Sequence, residues 1–357
     1  MNFRKVVKFI PGLICASALA ACGTSASSAS TVTTAASSGS PSKGLQVLRV
    51  GQISDSIAFF PVYVARKKGY FADEGVSVAK PPLLGTGAKL AAALVGGSLD
   101  VGAGVVTDAF NLSAAGQNPK LVADLVNAYY VDIVVATNFA GPSSSASLAS
   151  KIDALKGMKI GITGPGSGTQ ALVNYLFKLE GMNASTQSTM VNLGANLSAA
   201  VGALKTGEVN ALAFFQPVAQ IATATKVGKL YISPARGDVP AIDGATNGAV
   251  YTLSSILPKK QAAIIDFDKG LAKAESYIQT ASTSSLVKLL AGYNSGMSKG
   301  VATSLVPILK TEIAKTPAFN KAGYNAEVIV NVKGQLVKSV PSYSTLVDGS
   351  LISKALG

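Results

Sequence analysis

The sequence contains no histidine and no tryptophan, and it has only two cysteines and four arginines. The absence of histidine excludes Ser-His-Asp and Cys-His catalysis, histidine general bases and zinc sites with histidine ligands. Both cysteines, Cys15 and Cys22, lie near the N-terminus, so the rest of the chain has no disulfide framework and no thiol nucleophile. We therefore expect neither a metal site nor a cofactor, and any catalysis would have to use Asp, Glu, Lys or Tyr.

The positive charge comes almost entirely from lysine. Lys and Arg number 31 against 18 Asp and Glu, which gives a formal net charge of +13. The lysines are scattered and no basic–aromatic cluster occurs, so the chain is not predicted to bind nucleic acid. A lysine-rich surface beside an anionic membrane explains this charge better.

Residues 1–21 have the pattern of a lipoprotein signal peptide. Three basic residues precede the apolar stretch 9–21, which is too short to span a bilayer as a mature helix. The stretch closes with Leu19-Ala20-Ala21-Cys22, which resembles the bacterial lipobox, in which the cysteine thiol accepts a diacylglycerol. We expect lipidation at Cys22 and a membrane anchor; the alternative is an ordinary signal peptide with a free cysteine.

Residues 22–46 are mostly Ser, Thr, Ala and Gly. Such a stretch cannot bury enough apolar surface to fold, so we expect a flexible tether. The remaining body is long enough for one large or two medium domains.

The body of the chain carries an apparent duplication with a constant offset of 110 residues. Residues 48–51 (Leu-Arg-Val-Gly) are echoed by residues 158–161 (Met-Lys-Ile-Gly), and Ala93-Leu94…Gly97…Asp100 is echoed by Ala203-Leu204…Gly207…Asn210. Each copy has the pattern of alternating short strands and helices, which predicts two similar α/β lobes with a ligand cleft at the carboxyl ends of their strands. The alternative is a chance similarity between Ala/Gly/Leu-rich helices.

The predicted lobes are discontinuous in sequence. Residues 47–138 form the first part of lobe 1, residues 139–243 form lobe 2, and residues 244–357 complete lobe 1. The Ser/Gly/Pro-rich stretch 141–150 is predicted to be the crossing into lobe 2, and residues 326–332 to be a late strand.

Residues 164–169, Gly-Pro-Gly-Ser-Gly-Thr, form a glycine-rich loop before a predicted helix. It is not a Walker A loop, because no lysine precedes the hydroxyl residue, and Thr169 stands where a dinucleotide fingerprint has its third glycine. Its free N–H groups and the positive end of the helix dipole can hold an anionic or polar group, with a hydroxyl from Ser167 or Thr169. The alternative is an ordinary helix N-cap.

Loops that the duplication places around one cleft supply the other candidate ligand contacts. Together with Gly166, Ser167, Gly168 and Thr169 these are Ser54, Asp55, Ser56, Phe59, Phe60, Thr107, Asp108, Phe214, Phe215 and Gln216. Aromatic rings with a few convergent polar groups are typical of a small-molecule pocket. Asp55 and Asp108 favour a ligand that carries an amine or another donor, although each is equally consistent with an N-cap and each phenylalanine with core packing.

Five segments, taken in order, resemble the solute-binding proteins of ABC transporters that bind aliphatic sulfonates, taurine, nitrate or thiamine pyrimidines. These segments are residues 48–51, 64–71, 74–76, 93–101 and 155–161. Residues 166–169 and 215–217 resemble the second-lobe cleft loops of that family. Residues 246–248, Thr-Asn-Gly, resemble its returning crossover strand, which adds Thr246 and Asn247 to the candidate contacts.

The resemblance implies an α/β fold of the type II periplasmic-binding-protein kind, in which each lobe is a mixed sheet flanked by helices and two crossover strands join the lobes. It also implies a monomeric, non-enzymatic receptor outside the cell membrane. Such a receptor closes on a small organic solute and presents the closed form to an ABC permease and its ATPase.

Two departures from the family limit what can be carried over. Many members have Trp-Glu-Pro where this chain has Phe215-Gln216-Pro217, which puts a ligand grip through that carboxylate in doubt. The fungal enzyme branch uses a histidine and an iron-binding cysteine cluster, and neither exists here. An enzyme acting on a small metabolite and a sensory receptor remain as alternatives. The scarcity of arginine argues against phosphate or sulfate, with Arg236 as the one guanidinium that could change this, and leaves sulfonates, carboxylates, heterocyclic bases and amines.

Overall fold

The computed structural model describes residues 44–357. The predicted signal peptide, the lipidation site Cys22 and nearly all of the predicted tether lie outside the described residues. The strands are β1 (Gln46–Val47), β2 (Val50–Gln52), β3 (Val76–Ser77), β4 (Val101–Val105), β5 (Pro119–Val126), β6 (Val131–Ala136), β7 (Lys159–Ile162), β8 (Thr189–Asn192), β9 (Ala211–Phe215), β10 (Gly228–Ile232) and β11 (Gly248–Leu253).

The helices flank these strands, and in the described residues none is long and apolar enough to cross a membrane. They are α1 (Phe60–Lys68), α2 (Tyr70–Asp73), α3 (Gly87–Val95), α4 (Val106–Ala114), α5 (Leu148–Asp153), α6 (Gly168–Leu179), α7 (Ala184–Gln187), α8 (Leu197–Thr206), α9 (Val218–Ala224), α10 (Leu257–Thr280), α11 (Thr283–Tyr293), α12 (Lys299–Glu312), α13 (Lys321–Val328), α14 (Tyr343–Leu346) and α15 (Gly349–Leu356). A π-helical turn, Ile329–Lys333, continues α13.

Two mixed sheets organise the molecule, as predicted. The first has the order β2-β4-β11-β5 and the second the order β10-β6-β9-β7-β8, while β1 and β3 form a separate pair. In the first sheet β2 runs parallel to β4, and β11 is antiparallel to both of its neighbours. In the second, β7 is parallel to β8 and β9, and β6 is antiparallel to β9 and β10.

The structure confirms the 110-residue duplication at the level of single hydrogen bonds. The backbone N–H of Arg49 donates to Asp100 Oδ2 at 2.9 Å, and the N–H of Lys159 donates to Asn210 Oδ1 at the same distance. Helices α3 and α8 begin 110 residues apart. The echoed Asp and Asn therefore have one structural task, which is to tie the start of a parallel strand to its neighbour.

The chain crosses between the sheets earlier than predicted. Strand β5 of the first sheet ends at Val126, and β6, beginning at Val131, already belongs to the second sheet. The predicted crossing at 141–150 is wrong, because residues 141–147 belong to the loop between β6 and α5 and residues 148–150 begin α5. Residues 128–130, at the true crossing, are buried. The other predicted lobe limits stay predictions.

The predicted strand at residues 326–332 is also wrong, because this segment is helical. Ala326 and Val330, four residues apart, pack into the core of the second sheet, whereas Val328 and Val332 pack against the hydrophobic cluster of α3, α4 and β11. A short apolar run does not distinguish a buried strand from a helix with two buried faces. The segment therefore lies between the lobes and contacts both.

Candidate functional site

A cavity of about 290 Å³ lies between the two sheets, beyond the carboxyl ends of β2, β4, β7 and β9. We call it the inner cavity. Ligands of open α/β sheets bind in this position. The volume lies at the lower end of the range for small-molecule pockets, about 300–1,000 Å³, so it suits a compact solute. Nine predicted contacts line it: Ser54, Phe59, Asp108, Gly166, Ser167, Gly168, Thr169, Phe215 and Asn247.

Three helices begin at the inner cavity. Helix α3 starts after Thr86, whose hydroxyl accepts from the backbone N–H of Lys89 at 3.2 Å; helices α4 and α6 start at Val106 and Gly168. The first N–H groups of a helix have no acceptor within it, and the helix dipole makes this end positive. The cavity can therefore bind a polar or anionic group without a charged side chain.

The start of α6 is a helix N-cap, as one interpretation of the glycine-rich loop predicted, and the binding of a ligand by this loop stays a prediction. Ser167 is the N-cap, and its Oγ accepts from the N–H of Gln170 at 3.2 Å. The same hydroxyl lies 2.7 Å from Thr169 Oγ1, which lies 3.0 Å from Thr163 Oγ1. Gly166 has a φ of 75°, which favours glycine. The cap therefore presents a connected row of three hydroxyls on the cavity wall.

Asp108 brings a buried carboxyl group to the opposite side of the cavity. Its Oδ2 accepts from the N–H of Val105 at 3.0 Å and from the hydroxyl of Tyr251 at 3.4 Å. Burial raises the pKa of Asp108 to about 7. A Cβ on Gly87 would overlap the carboxylate, so glycine is required there. Asp108 thus caps α4 through one oxygen, which leaves Oδ1 for a ligand in the cavity.

Comparison with known proteins agrees with this arrangement. The family model described as the NMT1-like family matches residues 45–291, which is more than half of the chain. The chain belongs to the NMT1-like family. No curated protein is similar enough to match it.

Solved structures share the fold of this NMT1-like chain. The ligand-binding component of an ABC-type import system from Staphylococcus aureus is 15% identical, with a TM-score of 0.69 over 87% of this chain and 99% of that one. The alkanesulfonate-binding protein SsuA from Xanthomonas axonopodis pv. citri, bound to MOPS, is 18% identical, with a TM-score of 0.67 over 87% and 98%. The periplasmic nitrate-binding protein NrtA from Synechocystis PCC 6803 is 12% identical, with a TM-score of 0.70 over 87% and 88%. The predicted type II binding-protein fold and the family resemblance are confirmed.

Five predicted contacts are buried around the inner cavity without lining it. They are Ser56, Phe60, Thr107, Gln216 and Thr246. Phe60 packs against Tyr293 with ring centroids 5.6 Å apart, and Phe214 is likewise fully buried, so core packing explains both rings. The amide of Gln216 donates to Glu312 Oε1 at 3.2 Å. The residue that replaces the family's glutamate therefore bonds a buried acid of the first lobe.

Asp55 lies in a different cavity, although it neighbours Ser54 in sequence. Its Oδ2 accepts from the side-chain amide of Asn294 at 2.9 Å. This second cavity, of about 560 Å³, shares Ile53 and Ser54 with the inner cavity. The two acids predicted to face one ligand are thus separated.

Asn111 and Tyr129 also contact this site in the NMT1-like chain, although neither was among the predicted contacts. The side-chain amide of Asn111, on α4, donates to the carbonyl of Gly166 at 2.8 Å and so joins the two lobes across the cavity. The hydroxyl of Tyr129 donates to the carbonyl of Gly168 at 2.6 Å. Asn111 lies one helical turn beyond Asp108, and that spacing was the available signal.

Cationic side chains are absent from the wall of the inner cavity in the part of the chain that the structure describes. No lysine or arginine lines the inner cavity, and Arg236 belongs to a 3-10 helix elsewhere in the second lobe. Within residues 44–357 no group of three or more acids, cysteines or histidines is placed to hold a metal ion. The polar and aromatic groups of this wall are therefore N–H groups, hydroxyls, side-chain amides, one carboxyl and aromatic rings.

Proposed function

We propose that this NMT1-like protein is the substrate-binding component of an ABC importer, anchored outside the cell membrane through lipidated Cys22. It acts as a monomer and captures one small organic solute without chemical turnover. The observation that carries the proposal is the inner cavity itself, which is lined by strand ends and helix N-termini of both lobes. A solute in this position contacts both lobes and so stabilises the closed arrangement, which a permease can distinguish from the open one.

Hydrogen bonds between the lobes support this assignment. Asn111 bonds Gly166 across the cavity, and the Ser56 hydroxyl donates to the carbonyl of Gln216 at 3.2 Å. One hydrophobic cluster also includes residues of both sheets. Each neutral bond contributes only about 1 kcal/mol, so a bound solute can shift the balance between lobe arrangements.

The chemistry of the walls restricts the solute to a class. Three helix N-termini and the hydroxyls of Thr163, Ser167 and Thr169 favour an acceptor such as a sulfonate, carboxylate or ring nitrogen. A cationic amine or the N–H of a heterocycle would offset the burial of Asp108 and favour its ionised form, in which Oδ1 accepts a hydrogen bond. We therefore expect a compact solute that carries both, flanked by Phe59 and Phe215.

A thermal-shift panel of sulfonates, small carboxylates, pyrimidines and amines tests the proposal. At a concentration about 100-fold above its Kd, a true solute adds about 2.7 kcal/mol of stability. The double variant Ser167→Ala/Thr169→Ala should lose this shift, and a matched exposed pair, Ser143→Ala/Ser145→Ala on the β6–α5 loop, should retain it. No stabilisation by any compound, or a full response from the Ser167/Thr169 variant, would refute the assignment. Quantitative recovery of unchanged solute distinguishes binding from turnover.

A further inference from the structure

The second cavity of the interlobe cleft has a composition unlike that of the inner cavity. We call it the Asp55 cavity; it is about 560 Å³. The first lobe contributes the segment after β2 and the loop between α11 and α12, and the second lobe contributes the start of α8 and the end of α9. A molecule held there would contact both lobes without entering the inner cavity.

Asp55 is the only ionisable side chain among the described residues that line this cavity. Asn294 occupies its Oδ2, so Oδ1 can accept from a second donor. Burial raises the pKa of Asp55, and a nearby cation would offset this cost of desolvation. Helix α9 ends at this space, at Ala224 and Thr225, and brings the negative end of its dipole there. Helices α8 and α12 begin at the same cavity behind the N-caps Asn196 and Ser298 and bring positive ends, so the full negative charge for a cation comes from Asp55.

Apolar side chains form part of the remaining wall, beside Ser54, Asn196, Ser198, Thr225, Asn294 and Ser298. Leu83 is 55% exposed beside the cavity, and Ile221, Met297 and Val301 line it. A carboxylate beside a partly exposed apolar surface is suited to an aliphatic amine. Its ammonium group would bind the carboxylate, and its hydrocarbon chain would cover Leu83.

We propose that the Asp55 cavity is a second solute-binding site, which binds the ammonium group of an aliphatic amine on Asp55 and its hydrocarbon part on Leu83 and Met297. This site is independent of the identity of the solute in the inner cavity, and it stands even where the importer assignment fails.

Titration of the full chain with hexylamine at neutral pH tests the site, and hexan-1-ol is the uncharged control. We expect a Kd of about 1–10 mM for hexylamine, at the weak end of measurable affinities. Hydrogen bonds to charged groups are the stronger ones, so Asp55→Asn should weaken binding about tenfold or more. Asp153→Asn removes the same charge from an exposed position on α5 and should leave binding unchanged.

Methionine methyl signals in NMR locate the bound amine. Met297 lines the Asp55 cavity, whereas Met158, Met182 and Met190 belong to the core region of the second lobe. Among these four signals only that of Met297 should move, and those of Met158, Met182 and Met190 report whether each variant is folded. Ser198→Phe, at an exposed position on the wall, should block the cavity and abolish the shift. Equal binding of hexylamine by Asp55→Asn, equal binding of hexanol, or a Met297 signal that stays fixed at about 10 mM amine would overturn the proposal.

Discussion

Replacement of Asp108 by asparagine should change how the stability of the protein depends on pH. Burial raises the pKa of this carboxyl from 3.8 to about 7. The folded state therefore holds a proton that the unfolded state has released, and stability falls as pH rises from about 4 to about 7. One pKa unit corresponds to about 1.36 kcal/mol, so the ionised carboxyl costs the folded state about 4 kcal/mol above pH 7.

Asparagine keeps an oxygen that can accept from the N–H of Val105 but cannot ionise. The free energy of unfolding of Asp108→Asn, relative to that of the wild type, should therefore increase by about 2.7 kcal/mol between pH 5 and pH 8. In this range the wild type loses stability equivalent to a pKa difference of about two units. Denaturant unfolding at a series of pH values measures this difference.

The quantity to compare is the difference in unfolding free energy between Asp108→Asn and the wild type, because other buried acids also titrate in this pH range. Burial raises the pKa of Asp132 to about 7 and those of Glu312 and Glu327 to about 8, and these contributions cancel between variant and wild type. A flat difference for Asp108→Asn would refute the idea that burial of the Asp108 carboxyl raises its pKa and destabilises the folded state when the carboxyl ionises.

Two further predictions concern residues beside the inner cavity. Asn111→Ala removes the bond to Gly166 and should weaken solute binding about two- to tenfold, as expected for one neutral hydrogen bond; calorimetric titration with a solute found in the panel checks this, and unchanged affinity contradicts it. Gly87→Ala should destabilise the protein by about 1–3 kcal/mol because its methyl group overlaps the Asp108 carboxylate. In a denaturant-unfolding double-mutant cycle Asp108→Ala should relieve this cost, and strict additivity of the two changes would show that they do not touch.

Local signals in the sequence predicted much of this fold correctly. Helix α1 has Pro61 in its first turn and ends at Gly69 with a φ of 83°, as proline and glycine chemistry predict. The duplication predicted two related sheets, and the resemblance predicted their family. These features depend on residues close in sequence or on repeated spacing, both of which a single sequence shows.

The sequence-based predictions were wrong where tertiary contacts determine the local structure. Residues 326–332 are apolar on two faces because both lobes cover them, and no local pattern reveals the second partner. The true crossing between the sheets is buried, so composition pointed instead to the exposed stretch at 141–150. Asp55 and Asp108 both follow strands, yet they lie in different cavities, because the path of the loop after β2 directs one of them away from the strand ends.

The helix formed by residues 321–333 has a mechanical consequence. Besides the two chain crossings, this helix is a third connection between the lobes, because it packs against both of them through apolar side chains. Pulling the halves straight apart would bare either Ala326 and Val330 or Val328 and Val332 to water. A rotation of the lobes about this helix keeps both of its apolar faces buried and so costs less free energy. Opening of this protein should therefore be a rotation whose axis runs close to the helix of residues 321–333.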